Sequence, residues 1–209
     1  MADKDTATIQ AGFENARDFA QRYASYLPQG GSDRSKAALS PKSLRIDWMK
    51  TARGPMLAIC DDTHLWMLEF ITRKALAWQF EKFYKRHGQP ISIGRTQITD
   101  QIEKELGAYF SGQLTEFKTP FMVTGTDFQK ATWQQLCNIP YGQTRSYAQL
   151  AEMVGNPKAV RAVANANAKN GLVIIVPCHR VIGSDGGLGG YAGGVSLKSK
   201  LLNIESHKL

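Results

Sequence analysis

Across SLRIDWMK, apolar residues at Leu44, Ile46 and Trp48 alternate with polar ones, the period of two that a half-buried strand requires. RGP then turns the chain into MLAIC, and DDTH turns it again into LWMLEF, so the pattern predicts a three-stranded antiparallel meander. The period then lengthens. RKALAWQFEKFYKRH reads as one helix and TDQIEKELGAYFSG as another, with Ile102, Leu106 and Phe110 spaced by single turns. Upstream, residues 9 to 27 place Phe13, Phe19 and Tyr23 among the apolar positions of an amphipathic helix, and PQGGSDRSKAALSPKS reads as a loop or linker.

After PFMVTG, helical patterns dominate. Thr126 and Asp127 can cap FQKATWQQLCNI, and PYGQT is a turn. Ser146 opens YAQLAEMVG with Gln149 three residues on, the signature of a capping box. GNP breaks that helix at residues 155 to 157, and Pro157 suits the first turn of a third, PKAVRAVANANAKN. Two short helices joined by a tight glycine-containing turn form a helix-turn-helix pattern. On the third helix Val160, Val163 and Asn167 share one side, with the valines expected to face the core. Ala159, Ala162 and Ala166 line a neighbouring stripe, with Lys158 and Arg161 projecting beside it. Small side chains let another backbone approach closely, although plain helix packing uses them too. GLVIIVP reads as a buried strand ending at Pro177.

The expected fold is therefore α+β. Residues 1–43 form an N-terminal extension of helix plus loop. Residues 44–124 form a support domain with a small antiparallel sheet and flanking helices. Residues 125–209 form a mostly helical domain with the helix-turn-helix and a short strand leading to Cys178.

Composition is that of a globular chain, 43% apolar and 21% charged. No apolar stretch reaches the ~20 residues that span a bilayer, and MADKDTATIQ lacks the apolar run of a secretory signal. Three widely spaced cysteines, Cys60, Cys137 and Cys178, argue against a disulfide framework and for a reducing, cytoplasmic setting. Cys60, His64 and His87 are too loosely spaced, with no fourth ligand, to predict a metal site, and no cofactor is expected. The net charge is +8. Residues 125–209 carry nine Lys or Arg against four Asp or Glu, whereas residues 1–124 carry seventeen against fourteen. The surplus thus concentrates in the shorter C-terminal part, which suits a polyanionic partner such as nucleic acid. A solvated basic surface would look the same.

Chemistry concentrates at VPCHRVIG. A cysteine becomes a nucleophile as its thiolate, so it needs a neighbour that takes its proton. His179 is adjacent to Cys178, yet neighbouring residues of a strand point to opposite faces. Either the chain turns after Pro177, or a water links the two side chains. In VSLKSKLLNIE, Leu197, Leu201 and Glu205 fall one turn apart, so a carboxylate sits on an apolar stripe, where it needs a partner. An imidazole that faces the thiol with one nitrogen would offer its other N–H to such a group. Cys178, His179 and Glu205 thus read as nucleophile, base and orienter.

VPCHRVIG, followed by GGLGGYAGG and LKSKLLNIE, resembles the methylated-DNA–protein-cysteine methyltransferases, the 6-O-alkylguanine alkyltransferases that repair DNA. SYAQLAEMVGNPKAVRAVANANAKN is similar to that family's helix-turn-helix, so the likeness runs from about residue 126 to 206. The resemblance implies direct reversal of 6-O-methylguanine, and of 4-O-methylthymine, with Cys178 accepting the alkyl group in one irreversible turnover. His179 would deprotonate Cys178 through a water, Glu205 would orient the imidazole, and Asn170 would fix the active-site loop. Tyr147 would press on the lesion's phosphate and donate a proton to the departing purine. Arg161 would enter the base stack in place of a flipped nucleotide, a step that lets a lesion inside a duplex be reached. Lys158, Ala159 and Ala162 would meet the minor groove. Tyr191, Val176 and Pro177 would line the base pocket. The implied partner is double-stranded DNA carrying alkylated bases, met by a monomer without membrane, metal or cofactor. Gly171 stands where the family often has proline, and Asn165 and Asn167 are more polar than the family pattern. Two other functions share these residues: a lesion-recognition protein that binds without repairing, and a Cys-His hydrolase, which would turn over repeatedly.

Overall fold

β1 (Leu44–Met49), β2 (Met56–Cys60) and β3 (Leu65–Phe70) form the expected antiparallel meander in a computed structural model that describes residues 43–88 and 90–206. The helix expected at residues 9 to 27 and the linker after it lie outside the described residues. The chain divides into two compact units. One comprises the described residues up to Gly107 with Thr119–Met122, and the other comprises Ala108–Lys118 and the described residues from Val123 onward.

In the first unit the registers Ile46↔Ile59 and Ala58↔Leu68 stack buried apolar side chains across neighbouring strands. The sheet is mixed rather than purely antiparallel. β4 (Ile91–Ile93) joins the far edge parallel to β1, giving the order β3-β2-β1-β4. Three residues are too few for an alternating pattern to register, so β4 was not predicted. α1 (Leu76–His87) lays Leu76, Phe80 and Phe83 on Leu44, Ile46, Leu57, Ile59 and Ile91. Burying one such side chain contributes about 2–3 kcal/mol. The other edge is occupied too: Leu65 donates to the Pro120 carbonyl at 2.9 Å and accepts from the Met122 N–H at 2.9 Å. α2 (Gln97–Phe110) buries Ile98, Ile102 and Leu106 one turn apart.

In the second unit, α4 (Tyr147–Met153) begins with the capping box read from sequence, Ser146 with Gln149, and at α3 (Asp127–Cys137) the expected Thr126 cap proves to be a capping box as well, completed by Gln129. The third helix differs from its expected form. Pro157–Ala159 is a 3-10 turn, and α5 covers only Val160–Ala168. A 3-10 turn advances about 120° per residue instead of 100°, so one α-helical register cannot run through it. Val163 is buried while Val160, which opens α5 beside the mostly exposed 3-10 turn, is itself exposed, contrary to the expected pairing. Ala166 also leaves the exposed stripe: it is buried, and its carbonyl accepts the Trp133 Nε1–H at 2.9 Å, joining α3 to α5. β5 (Arg145–Ser146) pairs in parallel with β6 (Val181–Ile182), and α6 (Val195–Ser206) closes the unit.

GLVIIV is buried as expected but is not an extended strand. Val176 donates to Leu172 O at 2.9 Å and Ile175 to Val173 O at 3.0 Å, so the run folds back on itself. Ile174 takes φ 74°, the left-handed region that a β-branched residue rarely enters. Among the described residues, no helix is long and apolar enough to cross a membrane.

Candidate active site

Every residue of the site belongs to the second unit, and Asn170 organises its floor. Its Oδ1 accepts the Leu172 N–H at 2.9 Å, while its Nδ2 donates to Val176 O at 2.8 Å and lies 3.1 Å from Cys178 Sγ. An asparagine can do this because one planar amide offers an acceptor and two donors. Both ends of the folded-back segment are thereby tied to one side chain. Val176 and Pro177 are buried immediately before Cys178.

The chain does turn after Pro177. Cys178–Arg180 is a short 3-10 helix, with Cys178 N–H donating to Val176 O at 2.8 Å and Arg180 N–H to Pro177 O at 3.0 Å. The turn removes the obstacle that a flat strand would have posed to cooperation between Cys178 and His179. Cys178 is 3% exposed, and Asn167 Nδ2 reaches its backbone carbonyl at 3.4 Å.

His179 is wholly buried, with Nε2 2.8 Å from Glu205 Oε1. A carboxylate only accepts, so Nε2 carries the hydrogen and Nδ1 holds a lone pair. Among the described residues, Nδ1 has no hydrogen-bond partner. Burial pushes the imidazole below its ordinary range. The Glu205 hydrogen bond and charge oppose that shift, and the Arg180 and Lys198 charges reinforce it. A neutral ring with an available lone pair is a base in its working form.

Glu205 is buried and saturated with donors. Arg180 grips it through Nε at 2.8 Å and Nη2 at 3.0 Å, and the Tyr109 hydroxyl donates to Oε1 at 2.7 Å. The Gly142 N–H adds a contact to Oε2 at 3.3 Å. Burial alone would raise this carboxyl, but the His179 and Arg180 hydrogen bonds and charges outweigh it and hold it at about 2. Gly142 has φ 72°, and a Cβ there would stand 2.8 Å from the Glu205 carbonyl oxygen, so glycine is required on two counts. Arg180 Nη1 donates to Ile139 O at 2.6 Å, which anchors the guanidinium to the turn after α3.

Tyr147, the first residue of α4, is half-buried. Burial and the neighbouring Cys178 push its phenol up, against a smaller opposing effect of Asn167, so it remains protonated. Tyr191 is half-buried in the glycine-rich loop between β6 and α6. That loop passes Tyr147, since a Cβ on Gly189 would stand 3.8 Å from its ring and hydroxyl. Lys158, Arg161 and Ala162 are exposed on the 3-10 turn and the start of α5, with Ala159 half-buried among them. The fold therefore gathers Cys178, His179, Glu205 and Asn170 into one bonded cluster with Tyr147 beside it. The Arg161 group stands on an open helix face.

Three participants were not anticipated from sequence. Lys198 is fully buried, and its Nζ donates to Val181 O at 2.5 Å and to Leu188 O, pinning the glycine-rich loop to β6. Its spacing of three and seven from Leu201 and Glu205 was the available signal, since it places a lysine on the buried stripe. Tyr109 reads as one more apolar position of α2, and nothing in its spacing announces a hydroxyl aimed at a residue 96 positions away. Gly142 reads only as a turn residue.

Residues 127–207 match the family described as 6-O-methylguanine DNA methyltransferase, DNA binding domain. A methylated-DNA–protein-cysteine methyltransferase of Methanosarcina barkeri is 42% identical over 164 residues, covering 78% of this chain and 98% of that one. Its counterpart from Mycobacterium leprae is 54% identical over 105 residues, covering 50% of this chain and 64% of the relative. Among solved structures, Mycobacterium tuberculosis OGT in complex with DNA superposes with a TM-score of 0.68 at 36% identity, covering 78% of this chain and 92% of that chain.

Proposed function

This chain belongs to the methylated-DNA–protein-cysteine methyltransferase family, and from that premise we propose that it moves the methyl group of 6-O-methylguanine in duplex DNA onto Cys178, once and irreversibly. Membership makes it a DNA-binding enzyme of direct-reversal repair. The observation that carries the finer reading is the chain of contacts behind the sulfur. Asn170 Nδ2 lies 3.1 Å from Sγ, and the residue after Cys178 is a neutral imidazole whose Nε2 is committed to Glu205 while Nδ1 keeps its lone pair.

In the proposed step His179 Nδ1 takes the Cys178 proton through a bridging water. Sγ then attacks the methyl carbon, the S–C bond forms, and the bond from that carbon to guanine O6 breaks. Electrons from that bond pass into the purine, and the protonated Tyr147 phenol supplies the proton that neutralises it. Glu205 stabilises the imidazolium without accepting its proton, a role suited to a carboxylate held at about 2. A thioether is a poor leaving group, so nothing regenerates the thiol and each chain acts once.

Reaching a stacked base requires extruding it, at a cost of a few kcal/mol. Exposed Arg161 would fill the gap, with Lys158 on a phosphate and Ala159 and Ala162 allowing close approach to the minor groove. Backbone contacts dominate such binding, so it is salt-dependent and tolerant of sequence. The protein acts as a monomer on this account. Mixing it with a duplex carrying one 6-O-methylguanine tests the reading. Lesion loss should saturate at one per chain and should vanish in Cys178→Ser. Binding without lesion loss would make the protein a recognition factor instead, and continued turnover would make it a hydrolase.

A further inference from the structure

Glu205 Oε1 accepts from three donors, and one of them comes from a part of the chain that carries none of the recognised motifs. The Tyr109 hydroxyl donates to Oε1 at 2.7 Å and lies 3.4 Å from His179 Nε2. The residue is 1% exposed. Its ring is fixed by Phe110, Phe117 and Tyr141, with centroids 5.6, 5.4 and 6.4 Å away. The hydroxyl therefore has little freedom, and it sits in the wedge between carboxylate and imidazole. We propose that Tyr109 is a positioning residue for the transfer step: by sharing Oε1 with His179, its hydroxyl fixes the carboxylate's rotation and keeps the imidazole a free base rather than an imidazolium. This rests on His179 acting as the base, as argued above.

Electrostatics gives the sign. A carboxylate that donates charge density to a phenol has less left for the imidazole, so removing the phenol strengthens the Glu205–His179 attraction and favours the protonated ring. The other charged or titratable groups around the pair are Arg180 on the 3-10 turn, Lys198 on α6, Tyr141 after α3, and Cys178 itself. None of them offers Oε1 a replacement for the hydroxyl, since Arg180 is already engaged on both oxygens.

The test is the single-turnover transfer rate against pH for the parent, Tyr109→Phe and Tyr141→Phe. Tyr109→Phe keeps the ring packing and loses only the oxygen. Its acid limb should move to higher pH, leaving the rate about three-fold below the parent on the acid side and within error of it on the alkaline plateau. Tyr141 donates to the Ile204 carbonyl at 3.1 Å, not to the carboxylate, so its variant loses a comparable bond without moving the limb. Imidazole 15N shifts of His179 read the same displacement without turnover. Coincident acid limbs for parent and Tyr109→Phe would overturn the proposal, as would an equal displacement in Tyr141→Phe. Absence of transfer by the parent would instead refute the repair reading itself.

Discussion

Asn170 shows how much one side chain carries. Its amide closes the folded-back segment at Leu172 and Val176 and also touches the sulfur. Asn170→Ala removes these contacts and leaves buried backbone groups without partners, so we expect a loss of about 2–3 kcal/mol in thermal denaturation. The displaced sulfur should slow single-turnover transfer by about 100-fold. Glu205→Gln is expected to be worse for stability. The amide cannot receive both Arg180 nitrogens, and a buried guanidinium left half-paired costs about 3–5 kcal/mol. Asn170 entered only through the family resemblance, whereas Cys178, His179 and Glu205 were legible in the sequence because a thiol, an imidazole and a carboxylate are conspicuous at apolar positions. Tyr109 and Lys198 were not. A tyrosine at a core position is unremarkable, and the partners that define both residues are set by tertiary structure alone.

At the scale of elements, local chemistry was read most reliably where it is self-contained. A capping box joins two residues three positions apart, so Ser146 with Gln149 could be named before any fold was known. Ser146→Ala should cost about 1 kcal/mol, measured by chemical denaturation, with transfer by the folded protein unchanged. The strand expected over GLVIIV failed for the converse reason. Its apolar run reports burial, which is correct, but its conformation is imposed by a side chain outside the run. Ile174 at φ 74° is held against a backbone preference worth about 1–2 kcal/mol. α5 shows the same limit, because Val160 opens the α-helical part beside the 3-10 turn and stays exposed, and hydrophobic spacing does not reveal where one helix type replaces another.

For the whole molecule, two linkages follow from buried charge. Glu205 has a folded value near 2 against 4.5 when free, so its contribution is complete above about 4.5 and is lost as pH falls toward 2. The amount is about 3 kcal/mol. His179 acts in the same direction. Held neutral by burial, it cannot take the proton that the unfolded chain accepts below about 6.5, so stability declines from there downward. Denaturant midpoints should therefore fall on acidification, gently at first and steeply below 4.5, and a midpoint independent of pH would contradict the buried pair. On DNA, Lys158→Ala should weaken binding equally for all sequences and reduce the salt slope by about one. A sequence-dependent loss in fluorescence titration would reassign that lysine to base contact.

The proposed transfer requires one of three thiols as the acceptor. Burial pushes Cys60 up to about 12 despite hydrogen bonds from Thr99 and Thr96, so it is no ready thiolate, and Cys137 is exposed at the end of α3. Cys178 alone is joined to an asparagine donor and followed by a neutral imidazole. After incubation with duplex DNA containing 6-O-methylguanine, peptide mass mapping should find a single added methyl, confined to the peptide that holds Cys178. A methyl on Cys60 or Cys137, or an unmodified protein beside repaired DNA, would contradict the account.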